Sequence, residues 1–351
     1  MRDLKNTQRR IQNSPSFKNG IAQNREPIPR FRQIESAYKK PSIAKTLFEL
    51  FVLPNHPKNI PSIKSCLKNI QGDYFVWLGH SSCLLHIKNL FFLIDPLFKE
   101  NGSPFAWINV PFKGSTPFSL SDLPPITHLI ITHNHYDHLS KYTIKALSQQ
   151  QIQQAIVPLG IGKYLKSWGI PEKNIIELDW EESICIAENI ELFCLTARHF
   201  SGRKLVDMNK TLWASFLLQT NKRKIYFSGD GGYGVHFKSI GERFKHIDLA
   251  FIENGQYSKD WPFAHMFPHQ TFQAAKDLNA KFLMPIHNSK YKLSLHNPNE
   301  PLSELYKLLH KEQSLKLITP IIGQVVPLWD SQSAENIESM QFDTWWEQLG
   351  G

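Results

Sequence analysis

The chain has only four cysteines in 351 residues, Cys66, Cys83, Cys185 and Cys194, and no two are spaced as CxxC. That excludes a cystine framework, and it predicts reduced, core-packed thiols in a cytoplasmic protein. No apolar run approaches the roughly eighteen residues of a membrane span. The opening MRDLKNTQRR is positive, yet no apolar stretch of about seven residues follows it before residue 40, which argues against a cleaved secretory leader. There is no internal repeat and no low-complexity tract.

What is present is enough apolar material for a substantial core, 41% of residues. Lys plus Arg exceed Asp plus Glu by 40 to 31, but residues 1–45 hold eleven of the basic and three of the acidic side chains, leaving 29 against 28. The body is therefore nearly neutral, and the basic character belongs to the N-terminal part. Residues 1–40 are rich in Asn, Gln, Arg and Lys and read as an irregular arm. Pro41 to Pro54 bracket Ile43, Leu47, Leu50 and Phe51 at helical spacing. This amphipathic helix would either pack on the body or lie among anionic lipid headgroups beside the arm. The expected division is thus an arm and helix over 1–54 and a catalytic domain over 55–351.

From Asp73 the pattern is strand, turn, strand (YFVWLGH, SCLLHI, LFFLIDP). Residues 99–125, with five prolines and scattered aromatics, read as a long irregular loop, either one wall of a substrate pocket or an inert excursion. Further on, strands and helices alternate. WASFLLQT and KIYFSGD form a hairpin, HQTFQAAKDLN and LSELYKLLHK read as helices, and Ser140 is placed to cap the helix after residue 140. Strands in runs with helices outside them predict layered sheets.

The chemistry is concentrated in THNHYDHL, residues 132–139, directly after an apolar run. His133, His135, Asp137 and His138 within six residues form a metal-ligand cluster presented by one loop, and imidazole with carboxylate suits zinc. His199, Asp230 and His287 each close an apolar run, IELFCLTARH, KIYFSGD and KFLMPIH. Strand ends converge on one sheet edge. Seven ligands exceed one tetrahedral zinc and suit two metals sharing a carboxylate.

The order THNHYDHL, ARH, SGD, PIH resembles the metallo-β-lactamase superfamily, which implies a four-layer αββα sandwich with a dinuclear site. WLGHSSCLL, LIDPLF, PPITHLIITHNHYDHL, NKTLWAS and HMFP are similar to the N-acylphosphatidylethanolamine-hydrolysing phospholipase D branch and its bacterial relatives. The resemblance implies His133, His135 and His199 on one zinc, Asp137, His138 and His287 on the other, and Asp230 between them. Iron or manganese would fit the same set. It places Asp137 and His265 in the catalytic machinery, His265 either hydrogen-bonding substrate or protonating the leaving group, or else serving as a supporting histidine. His80 and Asp95 would support the ligands. Two departures stand out: Gly231 replaces a threonine next to Asp230, and Glu253-Asn254-Gly255-Gln256-Tyr257 replaces an apolar, small-residue segment.

The implied activity is hydrolysis of a phosphodiester, in a lipid such as an N-acyl phosphatidylethanolamine, by water that the metals acidify. The alternative is a lactone, ester or amide of a soluble small molecule. Nucleic acid is disfavoured as a partner: superfamily nucleases carry an inserted domain late in the chain, and only 56 residues separate Asp230 from His287. A redox di-iron role is disfavoured because that family has Glu where this chain has His135.

Overall fold

The computed structural model describes residues 6–28, 57, 59–105, 108–150, 152–310, 315–329 and 335–349. The N-terminal segment gives α1 (Thr7–Asn13) and a small hairpin, β1 (Phe17–Lys18) with β2 (Ile21–Ala22). Two seven-stranded sheets follow. The first comprises β3 (Tyr74–Trp77), β4 (Cys83–Ile87), β5 (Leu90–Ile94), β6 (His128–Ile130), β7 (Gln154–Pro158) and β8 (Ile175–Leu178), in that order across the sheet. The second comprises β9 (Ser183–Ala187), β10 (Ile190–Leu195), β11 (Ser215–Thr220), β12 (Lys224–Phe227), β13 (Ile247–Glu253), β14 (Ala280–Ile286) and β15 (Lys316–Leu317), again in chain order. A last strand, β16 (Val325–Pro327), returns to pair with β3 of the first sheet.

Alternation along the strands builds the layers. Phe75, Leu85, Phe92 and Ile130 face Phe216, Phe227, Phe251 and Met284 in the core between the sheets. The intervening Val76, Leu84, Leu93 and Leu129 face outward under α2 (Lys141–Leu147) and α3 (Gly162–Ser167). On the far side Leu217, Tyr226, Ala250 and Leu283 are covered by α4 (His236–Phe244), α5 (Pro268–Asp277) and α6 (Glu300–Leu309). The result is the expected αββα order. Ser140 caps α2, its Oγ accepting from the Thr143 N–H at 3.1 Å.

Two expectations change and a third is untouched. Residues 7–22 are not irregular: they form α1 and the hairpin, and Arg10 binds the Glu177 carbonyl at 2.7 Å and Glu182 at 2.5 Å. Long-range partners order a segment whose composition gave no hint of them. The expected helix over 41–54 lies outside the described residues. Of the four free cysteines, Cys83 and Cys194 are core-packed but Cys66 and Cys185 are exposed. Among the described residues, no helix is long and apolar enough to cross a membrane.

Candidate metal centre

Strands β3, β5 and β6 of one sheet and β10, β12, β13 and β14 of the other all end at the same edge of the sandwich, because each set is mutually parallel or related through two antiparallel steps. The residues following those ends meet there. His133, His135, His199 and Asp230 offer ligand atoms all within 4.8 Å of one another, and so do His80, Asp137, His138 and His287. All seven ligand candidates from the sequence are thus brought together, with His80 added as a close neighbour of the second group.

The metal loop is held from below by Asp95. Its carboxylate accepts from the Thr132 N–H at 2.8 Å, the Thr132 hydroxyl at 2.6 Å and His138 Nδ1 at 2.8 Å. A carboxylate only accepts, so Nδ1 of His138 carries the proton and Nε2 is left for the cluster. Thr132 spends its proton on Asp95, so its oxygen is free to accept from His133 Nδ1 at 3.0 Å. His199 Nδ1 faces the Ala264 carbonyl at 3.1 Å, which fixes its proton there too. Three imidazoles are therefore oriented with Nε2 inward, as metal ligands require. Arg203 closes the loop from outside, donating to the carbonyls of Asn134 and Leu139 at 2.8 and 2.7 Å.

Asp230 sits at the centre. Its carboxylate lies 3.0 Å from His138 Nε2, 3.1 Å from His287 Nδ1 and 3.7 Å from His133 Nε2. Both of its oxygens and His138 Nε2 are buried without a hydrogen-bond partner. Buried polar atoms are seldom left so, and a cation between them is the group that would satisfy them. Burial first, and neighbouring imidazoles next, push His133, His199 and His287 well below the ordinary histidine range, so they are neutral and able to ligate. His138 goes the other way: burial acts downward, but Asp230, Asp137 and Asp95 together lift it. The donor set fits two cations sharing Asp230.

His135 and His265 are only partly buried and the Asp137 side chain is 12% exposed, against 0–1% for His138, His287 and Asp230, so these three mark the mouth. Asp137 accepts from His80 Nε2 at 3.0 Å. His265 stacks on His287 with ring centroids 4.9 Å apart, and its Nδ1 meets Glu253 at 2.8 Å. Three non-glycine residues at this edge, His80, Asp95 and His287, hold left-handed backbone with φ of 55°, 40° and 63°. Such strain clusters at functional sites.

The loop after residue 98 packs against the ligand loop and the helix that follows it. Glu100 accepts from the Ser140 hydroxyl at 2.8 Å and from Thr143, and Gly102 passes so close that a Cβ there would stand 3.2 Å from Asp137 Cβ. The loop's described residues are irregular as expected, apart from a 3-10 turn at Leu120–Asp122. Behind it Lys290, wholly buried, donates to the Leu97 and Leu78 carbonyls at 2.6 and 3.4 Å and so ties together the ends of β3 and β5. Burial pulls its ammonium from 10.5 to about 7, opposed only by Glu100. The folded chain therefore sheds a proton that the unfolded chain keeps, and stability rises with pH between about 7 and 10.5. Urea unfolding should show a gain of roughly 1–3 kcal/mol between about pH 7 and 9.5, and Lys290→Met should flatten it.

The β-lactamase superfamily domain matches residues 91–288, just over half the chain.

The chain belongs to the metallo-β-lactamase superfamily.

Within it, an uncharacterized protein of Mycobacterium tuberculosis is 32% identical over 341 residues, 95% of this chain and 87% of that one. An N-acyl-phosphatidylethanolamine-hydrolyzing phospholipase D 1 of Caenorhabditis elegans is 29% identical over 81% of this chain and 87% of its own length. The solved structure of Igni18, a metallo hydrolase from Ignicoccus hospitalis, shares the fold with a TM-score of 0.56 at 18% identity, covering 72% of this chain and 97% of that one. As a metallo-β-lactamase-superfamily chain with clustered His and Asp side chains suited to two metals, this is a metal-dependent hydrolase.

The two departures from the phospholipase branch also have physical accounts. A Cβ at Gly231 would meet the Arg198 carbonyl at 3.0 Å, so little room is left for a side chain beside Asp230. In the segment 253–257 the polar side chains turn inward. Asn254 donates to the Pro301 carbonyl at 2.8 Å, Gln256 accepts from the Leu293 N–H at 2.9 Å, and Glu253 accepts from His265 and from the Met266 N–H at 2.6 Å. Glu253 was missed as a site residue, although it closes the apolar run DLAFIE in the manner of the other strand-end ligands.

Proposed function

We propose that the chain is a dinuclear metal hydrolase that cleaves the phosphodiester of a lipid such as an N-acyl phosphatidylethanolamine, releasing phosphatidic acid. The observation that carries the metal centre is Asp230, a buried carboxylate with no donor on either oxygen, set among three histidines. His133, His135 and His199 would hold one ion, and Asp137, His138 and His287 the other, with Asp230 shared. Zinc is preferred by ligand type. Two bound metals supply Lewis acidity and water of lowered pKa. The protein's part is then positional. Asp95, Thr132 and the Ala264 carbonyl hold the imidazoles in the ligating tautomer, and the loop carrying Gly102 packs beside Asp137. His265, charged through its contact with Glu253, donates from its remaining nitrogen to the leaving oxygen.

The lipid substrate is supported by the branch motifs, by the C. elegans relative and by the inward turn of segment 253–257, which alters scaffold rather than cleft lining. Partnership with an anionic membrane surface rests on the basic N-terminal part. Arg10 is spent on Glu182, whereas Arg25 shares Glu181 with Arg243 and stays exposed. The zinc-loaded chain incubated with a mixed phospholipid extract should deplete N-acylated phosphatidylethanolamine and accumulate phosphatidic acid, followed by mass spectrometry. An unchanged lipid profile beside turnover of a lactone panel would reject this substrate.

A further inference from the structure

The ligand candidate His199 leaves the end of β10 without a neighbouring strand to hold its main chain. Its flanks are tied: the Arg198 carbonyl accepts from the Gly232 N–H at 2.9 Å, and the Ala197 carbonyl from Trp213 Nε1 at 3.0 Å. His199 itself is bonded through its main chain to one side chain. Asn24 Oδ1 accepts from the His199 N–H at 3.0 Å, and Asn24 Nδ2 donates to the His199 carbonyl at 2.8 Å. The amide thus does what one residue of an adjacent strand would do. Beyond it lies a cavity of about 230 Å³ lined by Asn24, Thr196, Ala197 and Arg198, with His236, Ser239 and Ile240 of α4 on its other wall.

Asn24 is itself fixed at both ends. Before it, the Ala22 N–H donates to the Asn209 carbonyl at 2.8 Å. After it, Glu26 accepts from the Val235 N–H at 2.8 Å and the Pro27 carbonyl accepts from Arg198 at 2.9 Å. Its far anchor is Arg10, on Glu177 and Glu182 at the edge of the first sheet. Residues 7–27 therefore form a strap from that edge to the rear of His199.

We infer that Asn24 is a positioning residue for the metal centre: the N-terminal strap, through this one amide, sets the main chain of His199 and so the affinity of the cation site that His133, His135 and His199 form. The inference rests on the dinuclear reading above. Support of this kind for a ligating histidine commonly carries about 10–100-fold in metal affinity.

The test uses the full-length chain, stripped and titrated with zinc against a chromogenic chelator, with thermal unfolding in parallel. Wild type should take up two ions. Asn24→Ala should bind one ion at least about 10-fold more weakly and leave the other unmoved. Asn24→Asp keeps the acceptor for the His199 N–H and loses the donor, so its loss should be intermediate. Arg10→Ala releases only the far anchor, and should lower the melting temperature while both affinities stay at the wild-type level. If Asn24→Ala keeps both affinities, with or without a lower melting temperature, the strap only buttresses the fold and the inference fails. A wild-type chain that takes up no zinc would instead overturn the dinuclear reading, a failure visible in every variant alike.

Discussion

Asp230→Asn should abolish the paired site: zinc content falls from two equivalents to at most one, and hydrolysis falls by at least roughly 100-fold, more than the loss of an outer supporting contact produces. The reason is the centrality of this carboxylate. It lies within 3.7 Å of His133, His138 and His287, residues drawn from both proposed ligand sets, and both its oxygens lack any other partner. An amide of the same shape offers one neutral oxygen in place of two that share a negative charge. The side chain is buried at the end of β12 and makes no hydrogen bond that holds the fold, so circular dichroism should be unchanged. Metal content by plasma mass spectrometry, read beside turnover, checks the claim; retention of two equivalents would exclude a shared Asp230.

Glu253→Gln should separate acid–base work from metal binding. Glu253 is fully buried, and donors face both its oxygens: the Met266 N–H at 2.6 Å and His265 Nδ1 at 2.8 Å. Burial pushes the carboxyl upward, and Glu253 in turn holds His265 above the ordinary imidazole range, against the opposing effect of burial. A glutamine has one accepting oxygen, and the Met266 N–H must keep it. The amide NH2 is then turned on His265 Nδ1, which favours Nδ1 as an acceptor and so disfavours the charged imidazole. Turnover should fall about 100-fold or more, the scale of a lost general acid, with two zinc equivalents retained. The alkaline limb of the pH profile should also move to lower pH, because a His265 that must be protonated to donate now loses its proton earlier. An unmoved limb would make His265 a supporting histidine.

How far the sequence revealed this site depends on where each partner comes from. His133 to His138, His199, Asp230 and His287 were legible because a polar ligand closing an apolar strand is a local signal, and the strand ends share one edge. Glu253 carries the same signal at the end of DLAFIE, but only the fold shows its side chain turning onto His265. Asn24 carried none. Its partners are main-chain atoms 175 residues away, and no periodicity or composition encodes such a contact. The strap looked disordered for the same reason: α1 has no buried residue of its own, and it is held by Arg10 on Glu177 and Glu182. The closing pair Trp345 and Trp346 was likewise unread, though both are buried and Trp345 binds the Thr319 carbonyl at 2.9 Å.

The central claim is that two cations share Asp230, and anomalous diffraction at the zinc edge from crystals of the loaded chain tests it most directly. Two peaks are expected, one among His133, His135 and His199 and one among Asp137, His138 and His287, with the Asp230 carboxylate between them. A single peak, or none beside Asp230 in a chain that still hydrolyses its substrate, would contradict it.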